Sequence, residues 1–148
     1  SIYGLTKGQV SPTSPMRMKS GTSPYGNIAR PLNPTTLALA YGATFVARTF
    51  SRERDMVSDL ITRAIQHKGF SFIHDLSPCV VFNKDVTYGS VNSVTAQLPE
   101  EHDILDRSNA MSLAESTEPV YQGLFFQEKI PSFDDHVKQV KDGLNKSD

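Results

Sequence analysis

Hydrophobic positions divide the chain into three unlike parts. Up to Pro34 the apolar residues Tyr3, Leu5, Met16, Met18, Tyr25 and Ile28 follow no helical or strand period, and they sit among Ser, Thr, Gly and the prolines at 12, 15, 24, 31 and 34. From Asn33 the pattern becomes regular. "NPTTLALAYG" offers Asn33 as a cap, proline at the first helical position and Gly42 as a stop, predicting a short helix over 34–41. "ATFVART" reads as a buried strand. "SRERDMVSDLITRAIQHKG" then sets Val57, Leu60, Ile61, Ala64 and Ile65 at helical spacing between a cap at Ser51 and a stop at Gly69. "FSFIHDL" is a second strand, ended by Ser77 and Pro78.

Beyond Asn83 the pattern weakens. "NKDVTYGSVNSVTAQLPEEHD" suggests at most short strands, residues 101–115 a helix, "VYQGLFFQ" a strand, and 132–144 a terminal helix capped by Ser132. The polar tail Asn145 to Asp148 is expected to fray. Helix and strand alternating over tight connections predict an α/β fold, a parallel sheet covered by helices, with an irregular carboxyl-terminal extension. In such a sheet ligands lie beyond the carboxyl ends of the strands, and Cys79 follows the second strand there. Residues 1–33, 34–82 and 83–148 are thus three expected regions.

A structureless stretch as long as Gly4 to Pro34 is unusual in a compact domain unless it is functional. Its start is informative: Ser1 and Ile2 read like a strand end, and Gly4 opens a turn in "SIYGLTKGQVSPTSP". Gly4 permits close backbone approach, and the successive amides of Gly4, Leu5 and Thr6 suit an anion-binding concavity, although the same letters also fit an ordinary surface turn. Lys7 adds a flexible point charge.

Charge and composition narrow the partners. The 148 residues carry a formal net charge of −1 with the signs mixed, which gives no electrostatic footprint for nucleic acid or an anionic membrane. No apolar run approaches the roughly 18 residues of a membrane span. Cys79 is the single cysteine, which fits a reducing, cytoplasmic setting and on its own reads as a small core residue. His67 near a helix end suits the helix dipole, His74 lies in a strand, and His102 and His136 beside carboxylates suit exposed helices. There is no zinc-type spacing of His and Cys.

Together "SIYGLTKGQVSPTSP", "TSPYGN", "ALAYGATFVAR", "HKGFSFIHDLSPCVVFN" and "YQGLFFQEK" resemble the carboxyl-terminal portion of the beta subunit of 2-oxoacid:ferredoxin oxidoreductases, closely to about Asn83 and more loosely to about Lys129. These are thiamine diphosphate enzymes that oxidise 2-oxoacids to acyl-coenzyme A and CO2 and pass electrons to ferredoxin. The resemblance implies the second part of a thiamine diphosphate-binding fold, with 1–33 as the pyrophosphate and magnesium loop and 34–82 as its helix-strand-helix-strand core. It implies Ile2 as a backbone carbonyl ligand of Mg2+, and Ile2, Tyr3, Gly4, Leu5 and Thr6 as the cofactor-binding stretch. Lys7 is expected to meet the distal carboxylate of a 2-oxoacid, 2-oxoglutarate above all, or else the diphosphate, with Leu5 as a shape-defining wall. Cys79 in "SPC" is implied as one thiolate of a 4Fe-4S cluster, which needs three more. An Asp in a Gly-Asp-Gly turn upstream, and, after a strand, an Asn just before Ser1, are expected to hold the magnesium, so that the chain would be the later part of a subunit, silent without that part and an alpha subunit. The implied partners are that alpha subunit, ferredoxin, the 2-oxoacid and coenzyme A. A non-catalytic interaction module and a thiamine carboligase subunit stay open beside this reading.

Overall fold

The computed structural model describes residues 2–84 and 86–144, so the expectations for Ser1 and for the tail 145–148 fall outside the described residues. The elements in chain order are β1 (Ile2–Tyr3), β2 (Gln9–Val10), α1 (Pro34–Ala40), β3 (Phe45–Phe50), α2 (Arg54–Gln66), β4 (Ser71–Leu76), α3 (Tyr88–Val94), β5 (Thr95–Gln97), α4 (Arg107–Glu115), β6 (Val120–Gln127) and α5 (Phe133–Leu144). β1 and β2 form a small antiparallel hairpin, Ile2 opposite Val10 and Tyr3 opposite Gln9. The main sheet has the order β4-β3-β6-β5.

β3 carries the sheet. All six of its residues are buried, and it pairs in parallel with β4 from Phe45 opposite Ser71 to Phe50 opposite Leu76. That parallel pair, joined by α2, is the unit expected from the alternation of elements. β6 adds what the alternation does not announce: it lies antiparallel against the other side of β3 and parallel to β5. The register of β3 on β6 slips between Val46 and Ala47, so Val46 faces Phe126 while Ala47 faces Leu124. The extra residue, Phe125, is the bulge, and it lets Phe125 and Phe126 enter the same core.

Strand alternation then sorts the two faces. Val46, Phe125 and Phe126 pack with Ala38 and Leu39 of α1 and Ala110 and Ala114 of α4 on one side. Phe45, Ala47 and Leu124 pack with Leu60 of α2 on the other.

α1 is as expected: Asn33 Oδ1 accepts from the amides of Thr35 and Thr36, and Pro34 sits at the first position. α2 corrects the reading of its start. It begins at Arg54 behind Glu53, which makes no side-chain cap, and the hydroxyl of Ser51 is buried without a partner. The amide of Ser51 instead donates to Leu76 O, and the chain turns at once, Glu53 N returning to Phe50 O at 2.8 Å. The helix expected over 101–115 spans only Arg107–Glu115, because Asp106 caps it by accepting from the amide of Asn109 at 2.9 Å. The weak stretch after Asn83 holds α3 and β5, opened by a reciprocal Thr87–Ser90 capping box that periodicity alone does not reveal. α5 starts as expected after Ser132, whose amide and hydroxyl both donate to Asp135 Oδ2 at 2.8 Å.

Candidate functional site

The amino-terminal hairpin turn is tight and unusual. Lys7 and Gly8 have φ of 60° and 98°, and their amides return to Gly4 O and Tyr3 O, each at 3.0 Å. Left-handed backbone at a lysine is uncommon and holds the turn in one shape. Thr6 Oγ1 donates to Tyr3 O at 3.3 Å. The amides of Gly4, Leu5 and Thr6 find no acceptor among the described residues, so three adjacent donors remain for a ligand.

What this turn rests against was not readable from spacing. A side-chain carbon added to Gly4 would lie 3.5 Å from Cys79 Sγ, and one added to Gly8 would lie 3.7 Å from Phe82 Cβ. The turn therefore packs on residues 79–82, the segment that leaves the carboxyl end of β4. The structure thus brings Gly4 and Cys79 together. It leaves Lys7 and Thr6 exposed, with no charged partner for Lys7 among the described residues, and leaves Leu5 99 % exposed. In this chain Leu5 forms no wall by itself.

The rest of the segment to Pro34 is held by polar ties. Asn27 Nδ2 donates to the carbonyls of Ser14, Pro15 and Ala29, its amide to Met18 O and its carbonyl accepts from Arg17 N. Leu32 N donates to Pro12 O at 2.8 Å. Its apolar side chains are another matter: Tyr25 is 98 % and Ile28 94 % exposed.

Two arginines, neither singled out by the sequence, fasten the frame. Arg48 is buried in β3 with no carboxylate partner among the described residues. It donates instead to Thr35 Oγ1 (3.3 Å), Tyr121 O (3.1 Å), Asn33 Oδ1 (3.3 Å) and Ala114 O (3.0 Å), and lies over the Phe125 ring. Burial pulls its pKa down to about 10, still well above neutrality. Arg107 reaches the opposite way, from α4 to Leu39 O at 2.8 Å and Ala43 O at 3.3 Å, over the Phe126 ring and beside Glu128. The signal available in the sequence was only a basic residue inside an apolar strand run.

His74 lies beside Arg48 on β4. Burial first, then the Arg48 charge, lower its pKa to about 4, against a smaller upward pull from Asp75. Thr35 Oγ1 accepts from Arg48 and shares a hydrogen bond with His74 Nδ1 at 3.4 Å, which links the two residues through one hydroxyl. His67 is the C-cap of α2, but its pKa is lowered by burial and then by Lys129, and its Nε2 bonds Thr44 Oγ1 at 2.8 Å. That environment replaces the expected charge-dipole role. His102 corrects a placement too: it lies in a turn, its Nε2 donating to Phe125 O at 2.8 Å and its Nδ1 accepting from Asn109 at 3.2 Å. His136 is exposed on α5, as expected.

For a cofactor the donor set is one-sided. The turn offers backbone donors and carbonyls, and residues 2–10 contain no carboxylate, so they suit a diphosphate better than they suit a cation. No group of three or more His, Cys, Asp or Glu placed to hold a metal occurs among the described residues, and Cys79 can supply one thiolate. No helix among the described residues is long and apolar enough to cross a membrane.

Residues 1–74 match the family described as "Thiamine pyrophosphate enzyme, C-terminal TPP binding domain", and residues 79–142 match the carboxyl-terminal family of the pyruvate ferredoxin oxidoreductase beta subunit. The "2-oxoglutarate synthase subunit KorB" of Methanocaldococcus jannaschii is 33 % identical over 97 % of this chain and 54 % of its own length. The "2-oxoacid:ferredoxin oxidoreductase subunit beta" of Sulfolobus sp is 34 % identical over 93 % of this chain and 49 % of its own. A solved structure, "2-oxoglutarate:ferredoxin oxidoreductase from Magnetococcus marinus with 2-oxoglutarate, coenzyme A and succinyl-CoA bound", superposes with a TM-score of 0.93 at 37 % identity, covering 97 % of this chain and 50 % of that one. The chain spans between about a quarter and about half the length of the relatives it matches. Gly4 lies in the first matched module and Cys79 opens the second, so the contact between them sits on the seam of a thiamine diphosphate-binding chain that belongs to the beta-subunit family of the 2-oxoacid:ferredoxin oxidoreductases.

Proposed function

We propose that this chain provides the diphosphate-facing part of a 2-oxoacid:ferredoxin oxidoreductase, with 2-oxoglutarate as the favoured substrate and acyl-coenzyme A and CO2 as products. The observation that carries this is the packing of the Gly4 turn on Cys79. It sets three unpartnered amides beside a half-buried cysteine, an arrangement suited to an anionic cofactor next to a thiolate-ligated redox centre. Gly4, Leu5 and Thr6 present their amides to the diphosphate, and Ile2 and Tyr3 hold the turn at its base. The Ile2 carbonyl would be one oxygen ligand of a Mg2+ whose carboxylate ligand would come from outside residues 2–10. Cys79 supplies one corner of a 4Fe-4S cluster and other cysteines the remaining three. Thiamine diphosphate, when bound, supplies the electron sink for decarboxylation.

Lys7, held at the tip of the turn, orients the distal carboxylate of the substrate. Leu5, Tyr25 and Ile28 are covered by an alpha subunit, which closes the site, and ferredoxin receives the electrons. The lone cysteine accords with a reducing cytoplasm.

Cys79→Ser in the assembled enzyme tests the centre of this reading. Iron content and ferredoxin reduction are expected to fall sharply while thiamine diphosphate is retained. Full iron with normal electron transfer would remove Cys79 from the cluster. Lys7→Met is expected to cost a dicarboxylic 2-oxoacid about tenfold or more in kcat/KM, the value of one charged hydrogen bond, and to spare a monocarboxylic one. An unchanged ratio between the two substrates would take Lys7 out of the substrate site.

A further inference from the structure

The irregular segment between β2 and α1 is a closed strap. Leu32 N donates to Pro12 O at 2.8 Å, which joins the residues that enter the segment from β2 to those that leave it for α1. Inside the strap the chain returns on itself: Arg17 N donates to Asn27 O, Asn27 N to Met18 O at 2.9 Å, and Ser20 and Ser23 exchange amide bonds at 3.2 and 3.1 Å. Arg17 and Gly26 take φ of 67° and 96° to make that return, and a side-chain carbon on Gly26 would lie 3.1 Å from Arg17 O. Ends this close and a return this heavily bonded make the strap one body, so fixing its ends fixes the whole.

The two ends have different anchors. At the entrance, Val10 of β2 stands opposite Ile2, and this hairpin carries the turn with the open amides of Gly4, Leu5 and Thr6. At the exit stands Asn33. Its Oδ1 caps α1 through the amides of Thr35 and Thr36 and also accepts from Arg48 Nη2 at 3.3 Å, while its Nδ2 donates to Ala114 O at 2.7 Å. Arg48 in turn donates to Ala114 O and Tyr121 O, so the exit is held to α4 and β6. Capping a helix asks only for an acceptor, which a serine supplies as well. The ties of Asn33 to Ala114 and Arg48 exceed that need.

We propose that Asn33 is a positioning residue for the diphosphate turn, acting through the Leu32–Pro12 bond and the β1–β2 pair on the amides of Gly4, Leu5 and Thr6. The inference rests on the reading of those amides as diphosphate donors. Donors for an anion serve only when held within about 0.5 Å of the productive geometry, and a supporting shell has to hold them there. The turn has little side-chain burial of its own for that purpose, since Leu5 is 99 % exposed and the turn meets Cys79 and Phe82 through glycines. The strap carries the rigidity of the buried sheet to it.

Asn33→Ser in the assembled enzyme separates this role from the cap. Thiamine diphosphate with Mg2+ is titrated calorimetrically, and amide exchange at Lys7 and Gly8 is followed before cofactor is added. The cofactor is expected to bind about tenfold more weakly, the effect of one charged hydrogen bond. Activity lost at limiting cofactor should return at saturation, and the Lys7 and Gly8 amides should exchange faster, while the denaturant midpoint and the iron content stay near those of the parent. Asn33→Asp, which keeps the cap and an acceptor for Arg48, should recover most of the affinity. Unchanged affinity with unchanged exchange overturns the inference, as does weaker binding that only follows a loss of global stability. Faster exchange with unchanged affinity upholds the tie and removes the diphosphate from the turn, so failure of the inference and failure of the reading beneath it give different results.

Discussion

β3 and the segment that precedes it use their apolar residues in opposite ways. Phe45, Val46, Ala47 and Phe50 are all fully buried among residues of the same chain. Leu5, Tyr25 and Ile28 are almost fully exposed, although the backbone around them is tied by Asn27 and by the hairpin. Both regions are ordered by hydrogen bonds, but only one is ordered by burial. A region that fixes its backbone while leaving its large side chains in water gains little of the roughly 25 cal/mol per Å² available from burial. Its fixed shape is what the proposed site at the Gly4 turn beside Cys79 would need.

The contrast should show first in the core. Phe125→Ala removes a fully buried ring at the bulge and is expected to cost about 3–5 kcal/mol in denaturant unfolding. A loss below about 1 kcal/mol would mean that the two core faces are not the source of stability. Arg48→Leu comes next, at about 2–3 kcal/mol, because it leaves Tyr121 O and part of the Asn33–Ala114 junction without donors. A neutral or stabilising result would make Arg48 a relic of packing and not a fastening between the two modules.

Acid should act through the same junction. The His74 pKa is about 4 in the folded chain and 6.5 in the unfolded reference, so the unfolded chain binds the proton first. Its contribution is complete above about pH 6.5, declines as the pH falls, and is gone below about 4. The full span is about 3 kcal/mol at most. His74→Gln should flatten that part of the stability-pH curve, and an unchanged slope would place the acid sensitivity elsewhere. The smallest effect is expected in the other region. Ile28→Ser and Tyr25→Ser should each change the stability of the chain by less than about 0.5 kcal/mol while weakening its association with a partner subunit. A large loss in the isolated chain would show that the segment is packed after all.

Much of the frame was legible from pattern. Asn33-Pro34 announced α1, "ATFVART" and "FSFIHDL" announced the parallel pair, and "VYQGLFFQ" announced β6. The position of β6 in the middle of the sheet was not, since pairing partners are chosen by long-range burial and leave no local period. Ser51 misled because a residue type suited to capping was drawn instead into the backbone ladder at Leu76. The site was legible only as a turn and a cysteine far apart in sequence. Their contact depends on how residues 79–82 leave β4, and Arg48 escaped notice because a buried cation satisfied largely by carbonyls carries no motif.

The sheet order β4-β3-β6-β5 also has a consequence for how the protein is made. β3 gains its second neighbour only when residues 120–127 arrive, long after β3 itself has been synthesised. Synthesis proceeds at ~5–20 residues per second, so on the ribosome the apolar edge of β3 stays open for seconds. An exposed, regular edge of this kind is a template for pairing with other chains. Nascent chains stalled before residue 120 are therefore the species on which holdase chaperones should be found.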